Sequence, residues 1–140
     1  MQATPALLWH PMSEPVVFIS RFRIKAGQRR AYAALAADAT PRLQAEKPQT
    51  LVFLSYLGDD DSLSIIHIFP DAEAMDRHLE GSEQRGAAAM PLLVPLGWEL
   101  YGSVSQAALA SMTQRAATVG VPLTVHAEFL SGFLRQQSGE

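Results

Sequence analysis

The clearest order in the sequence is a two-residue alternation. In Val16 to Ile24 (VVFISRFRI), Phe18, Ser20, Phe22 and Ile24 fall on one side and Ile19, Arg21 and Arg23 on the other, the period of a β-strand. From Gln28 to Lys47 the period lengthens. Tyr32, Leu35, Ala36, Ala39 and Leu43 recur at helical spacing among many alanines, which predicts a helix packed on the sheet through that stripe, kinked at Pro41 and ended by Pro48. Leu51 to Leu57 (LVFLSYL) and Leu63 to Phe69 (LSIIHIF) are rich in β-branched and aromatic residues. They flank the turn-forming Gly58-Asp59-Asp60-Asp61, so the two read as a hairpin. Pro70-Asp71 opens a second helix with Asp71 at the N-cap and Gly81 as its stop, which sets Met75, His78 and Leu79 on one face. A short helical piece from Ser82 to Met90 follows. Leu92 to Tyr101 (LLVPLGWELY) predicts a fourth strand whose Pro95 and Gly97 suit an edge or a bulge. Ser103 and Gln106 resemble a capping box opening a third long helix to Ala117, Gly120 ends it, and Val121 to His126 forms a fifth strand.

The order strand, helix, strand, strand, helix, strand predicts an α+β domain of the ferredoxin-like, split βαβ kind, with helices on one face of an antiparallel sheet. Val17, Ile19, Val52, Leu54, Ile66 and Ile68 lie opposite Phe18, Phe22, Phe53, Ile65 and Phe69 on their strands, so both sheet faces are apolar. The expected organisation is an arm over residues 1–15, with Leu7, Leu8 and Trp9 docked on the body, a domain over 16–102, and an extension over 103–140 packed on that domain or on a partner.

Composition narrows the function classes. A chain of 140 residues, 48% hydrophobic and 18% charged, is long enough for one packed core. It has no Cys, which removes disulfides, thiolate nucleophiles and Cys-based metal sites and agrees with a reducing cytoplasm. The net charge of -3 speaks against a nucleic-acid surface, and the Arg21 to Arg30 cluster reads as polar positions of a strand and a helix start. No apolar run approaches a membrane span, and the first residues lack the pattern of a signal peptide. Asp59, Asp60 and Asp61 lack the alternate spacing of a calcium loop, and no HExxH pattern occurs, so no metal site is expected.

The stretches Phe22-Arg-Ile-Lys-Ala-Gly27, entering an Ala-rich helix, and Phe69-Pro-Asp-Ala-Glu-Ala74-Met75 through His78 resemble the antibiotic biosynthesis monooxygenase-like family of the dimeric α+β barrel superfamily. The resemblance spans residues 16 to 101. It implies a homodimer in which two sheets close a barrel over the apolar face that the helices leave bare. The haem-degrading members rely on an asparagine, a tryptophan and a histidine at positions that align here with Ser20, Phe69 and about Ala88, and the sequence contains no Asn. That branch is disfavoured. The quinol-oxidising members work without cofactor: the site needs a proton acceptor, donors for a developing oxyanion and an apolar enclosure.

His67 is the candidate catalytic base, because its strand face is shared with Ile65 and Phe69 and a neutral imidazole suits proton transfer. Ser20, Tyr56 and Trp98, together with Ser55, are candidate hydrogen-bonding groups toward a small aromatic substrate. Phe22, Phe53 and Phe69 are candidate walls, and His78 a candidate pocket residue. His10 and His126 carry no role. The expected function is therefore a cofactor-independent monooxygenase on a quinol-like substrate. The alternatives are a non-catalytic dimeric module, either one that binds a small ligand or a stress-related structural dimer, and an isomerase on the same fold.

Overall fold

The computed structural model describes residues 14–135; the predicted docking of Leu7, Leu8 and Trp9 and the position of His10 lie outside them. Strands β1 (Val16–Ile24), β2 (Val52–Leu57), β3 (Ser62–Phe69), β4 (Leu93–Tyr101) and β5 (Leu123–His126) form one sheet in the order β2-β3-β1-β4-β5. The first four pair antiparallel in the split βαβ arrangement, while β5 joins β4 in parallel, so the sheet is mixed where an antiparallel one was expected. Helices α1 (Arg29–Glu46), α2 (Ala72–Leu79), α3 (Ser82–Gly86) and α4 (Gln106–Val119) complete the fold, with a 3₁₀ turn at Met90–Leu92 before β4.

Local chemistry explains most boundaries. Asp71 caps α2 by accepting from the Ala74 amide at 2.8 Å, and Gly81 follows the helix in the left-handed conformation at φ 76°. Pro41 is accommodated inside α1, which runs on to Glu46. The cap of α4 is Ser105, whose hydroxyl accepts from the Ala108 amide at 3.0 Å and donates to Asp76 at 2.8 Å. Ser103, expected there, instead donates to the Ala127 carbonyl, because Val104 packs against the core and the helix starts after it. The predicted helix from Ser82 to Met90 is one turn of α3 followed by turns.

β4 carries the expected irregularity. Arg21 pairs with Gly97 and Phe22 with Pro95, leaving Leu96 as an extra residue in a bulge. The strand is not the end of the sheet: Trp98 to Tyr101 pair with β5, and the half holding Pro95 has no neighbour on that side among the described residues. Pro95, which cannot donate to a ladder, therefore sits on an edge half-strand.

The core is split. One cluster, built on Phe18, Phe69, Met75, Trp98, Leu100 and Met112, joins the sheet to α2 and α4; the other gathers Phe22, Ile24, Tyr32, Leu63 and Leu93. Only Tyr32 and Leu43 of α1 are buried. Ala36 packs against the second cluster as expected, while Leu35 and Ala39, also expected to pack on the sheet, border a cavity between the two clusters. The opposite sheet face carries Val17, Ile19, Ile66 and Ile68, all partly exposed, with Leu54 45% and Tyr56 58% exposed.

Gly102, buried where β4 ends, has φ 108°, and a Cβ there would stand 2.7 Å from the Pro15 carbonyl oxygen and 3.3 Å from Val16 Cα. Both neighbours are backbone and cannot yield cheaply. Gly102→Ala is expected to cost about 2–3 kcal/mol of stability, read as a lowered midpoint in urea unfolding; an unchanged midpoint would show that the start of β1 adapts freely.

Candidate functional site

The cavity lies between the helix-covered sheet face and α1 and measures about 610 Å³, within the range of small-molecule sites. Strand alternation builds its floor. His67 pairs across the sheet with Phe18 and Phe53, while Ser20 pairs with Ile65 and Trp98, so the inward residues form two adjacent rows. Both rows border the opening. Tyr32 and Leu43 hold the two ends of α1, and the small side chains between them leave the volume open.

At one end two imidazoles meet. The His67 and His78 rings lie edge to face with centroids 5.0 Å apart. Phe18 stacks on His67 at 4.9 Å, Phe53 approaches it edge-on at 5.2 Å, and Phe69 lies behind both histidines. His67 Nδ1 donates to the Phe18 carbonyl oxygen at 3.1 Å. That bond fixes the tautomer and leaves Nε2 as the lone-pair nitrogen, with no partner among the described residues. His78 Nδ1 is 2.7 Å from the Thr50 hydroxyl.

Both rings are neutral at neutral pH. Burial lowers His67 to about 4, with Arg85 adding to the effect and the bond to Phe18 opposing it. Burial lowers His78 to about 3, aided by repulsion from His67 once that ring is protonated and from the charges of Arg85 and Lys47. Each imidazole is thus an available proton acceptor in an apolar enclosure.

The structure brings together most of the residues singled out from the sequence. Ser20, Phe22, Phe53, His67, His78 and Trp98 all border the cavity. Phe69 does not: it is fully buried beneath the two imidazoles and acts as their packing support. Tyr56 is on the wrong face. It lies three residues after Phe53, an odd step along β2, so it projects to the bare side of the sheet. Ser55, one position earlier, takes the inward place. Ala88, aligned above with a haem ligand, borders the cavity and has no ligating atom. Among the described residues no three His, Asp or Glu side chains come together as a ligand set.

Two contributors were missed. Thr50, just before β2, orients His78. Arg85 borders the cavity from α3 while its guanidinium donates to the carbonyls of His78 and Glu80. In the sequence Arg85 sits in the polar run Ser82-Glu83-Gln84-Arg85, which carries no periodic signal that would turn it inward.

No family model matches the sequence, and no curated protein matches it either. Solved structures do. MupZ from Pseudomonas fluorescens shares 15% identity at a TM-score of 0.65, covering 88% of this chain and 93% of its own. A candidate antibiotic biosynthesis monooxygenase from Caulobacter crescentus CB15 shares 14% at 0.56, covering 64% of this chain and 89% of its own. SnoaB, a cofactor-independent oxygenase from Streptomyces nogalater, shares 19% at 0.54, covering 67% and 97%. At these identities the likeness is one of fold: the chain has the α+β fold of antibiotic biosynthesis monooxygenase proteins.

The buried imidazoles also set a pH dependence of stability. An unfolded histidine titrates near 6.5 and folded His67 near 4, so below 6.5 the unfolded chain binds more protons. The stabilisation is complete above that range and is lost as pH falls toward the folded value. Between pH 7 and pH 5 His67 alone is expected to cost about 2 kcal/mol in urea unfolding, and His67→Phe to remove that part of the slope. A stability flat across this interval would mean the ring is not held neutral.

Proposed function

We propose that the protein is a cofactor-independent oxygenase acting on a polycyclic phenol or its keto tautomer. The observation that carries this reading is the neutral His67 imidazole, its Nε2 unpaired, bordering an apolar cavity of about 610 Å³ beside Trp98 and Ser20. The fold shared with SnoaB, itself a cofactor-independent oxygenase, supports it.

In this reading the substrate carries an acidic CH₂ between aromatic rings. His67 Nε2 takes one of its protons, and the carbanion delocalises onto the ring oxygen, where Ser20 or the Trp98 indole N–H supplies a hydrogen bond. The carbanion reduces dioxygen and forms a C–O bond, and the imidazolium returns its proton to the peroxide anion. Loss of water from the hydroperoxide, with the second C–H proton, gives a carbonyl. One oxygen atom enters the product and the other leaves as water, so the electrons balance without a further reductant. The low basicity of empty His67 is the cost of its burial; a phenolate or carbanion formed beside it offsets that cost by pairing with the imidazolium in a poorly screened site.

A second reading is an isomerase, favoured by the adjacent edge-to-face imidazoles, since two neutral rings 5.0 Å apart at one cavity end suit a proton shuttle that needs no oxidant. Dioxygen dependence separates the two.

The test is oxygen uptake by the purified protein against a panel of hydroquinones and polycyclic phenols, with an autoxidation blank. Uptake above the blank is expected, falling about 100-fold or more in His67→Ala. Its kcat/KM should be level from neutral pH to about pH 5 and decline through about 4, where the base becomes protonated. Uptake equal to the blank, or turnover that His67→Ala leaves intact, would refute the assignment.

The same reading includes assembly. The bare face carries Ile19, Ile66, Ile68 and Leu54 side by side and exposed in part, an apolar surface for which a second copy of this chain is the natural cover. Light scattering should give a dimer mass for the wild type and a monomer mass for Ile66→Asp, which sets a carboxylate at the centre of that face. A wild-type monomer would refute the pairing.

A further inference from the structure

The charges that border the cavity do not cancel. Three arginines and two carboxylates reach it: Arg42 pairs with Asp38, and Arg115 with Glu83 at 3.2 Å. Arg85 has no carboxylate partner within ion-pair distance among the described residues. Its charge is nonetheless taken partly out of water. Burial lowers its pKa, and only the distant field of Glu46 opposes that. Two of its five N–H groups are spent on the carbonyls of Glu80, at 2.7 Å, and His78. Those bonds pin the side chain in place and leave the other donors uncommitted.

Those carbonyls lie at the C-terminal end of α2, where a cation is favoured, so the bonds help to end that helix; they still leave a half-buried guanidinium bordering the cavity without a carboxylate counter-ion. We propose that the cavity selects an amphipathic monoanion, a fused aromatic body bearing one carboxylate, with Arg85 holding the anionic oxygens. The inference rests on reading this cavity as a substrate site and adds the chemical class of what it takes. The aromatic rings and α1 enclose the apolar body. The guanidinium, set at the α3 side, fixes which end of the body reaches the imidazoles.

Binding of such an anion would also act on the bases. Arg85 is one of the charges that disfavour protonated His67 and His78, together with Lys47 at His78. Glu46 is the carboxylate nearest in effect to the guanidinium. Pairing Arg85 with a carboxylate cancels its contribution and makes both rings better proton acceptors when substrate is present.

The experiment compares anthracene-2-carboxylate, anthracene-2-carboxamide and anthracene-2-methylammonium, equal in body and different in charge. Binding to the wild-type protein is read anaerobically by fluorescence anisotropy, so no turnover is needed and the oxygenase assignment is not at stake. The carboxylate should bind about tenfold or more tighter than the amide, and the ammonium weakest. In Arg85→Gln the preference should shrink to within about twofold, and in Arg85→Lys, which keeps the charge and loses the pinned fork, it should fall to between those values. The wild-type series stands on its own if the glutamine variant does not fold. Equal binding of acid and amide, a preference that persists in folded Arg85→Gln, or no carboxylate binding at about 1 mM would each overturn the inference.

Discussion

A sheet with two apolar faces cannot be satisfied by helices on one side, and the rest of this molecule depends on how that constraint is met. The helices cover the inner face incompletely, leaving it half core and half cavity. The outer face keeps Ile19, Ile66 and Ile68 only partly covered, interrupted by the Arg21–Glu99 ion pair and by Tyr101, which donates to Glu99. Hydrophobic burial drives folding through the two end clusters, and the space between them is where the fold has given up packing.

That surrendered packing gives the site its electrostatic character. Imidazoles in water would be partly charged near neutrality, whereas here a stack of phenylalanine rings excludes water and holds both uncharged. The Phe18 carbonyl decides which nitrogen of His67 keeps its lone pair, and Thr50 orients the second ring. One backbone atom and one hydroxyl thus determine what the two rings present to the cavity.

How much of this was legible follows from which signals are periodic. The alternation in β1 and β3 located the inner face, and with it Ser20, Phe22 and His67, because a two-residue period leaves no freedom once one position is assigned. Asp71 and Gly81 marked α2 because their roles are local. The same alternation, applied strictly to β2, places Tyr56 outside and Ser55 inside. That part of the α1 stripe lines a cavity was not legible, since a stripe that packs and a stripe that lines a void have the same spacing. Arg85 was hidden for a different reason: its direction is set by the carbonyls of the α2 end, a tertiary fact with no counterpart in a five-residue helix.

The wall formed by α1 includes two alanines and a threonine among its lining residues. Leu35, Ala36 and Ala39 meet the cavity, while β1 and β3 opposite are held by pairing on both sides. Exchanging these small residues alters the shape of the enclosure without touching a ladder hydrogen bond or the His67 tautomer, and adds volume only where volume is missing. The architecture therefore divides labour between a rigid half that fixes reactivity and a pliant half that fixes fit. New specificities can be explored along one helix at little risk to the scaffold.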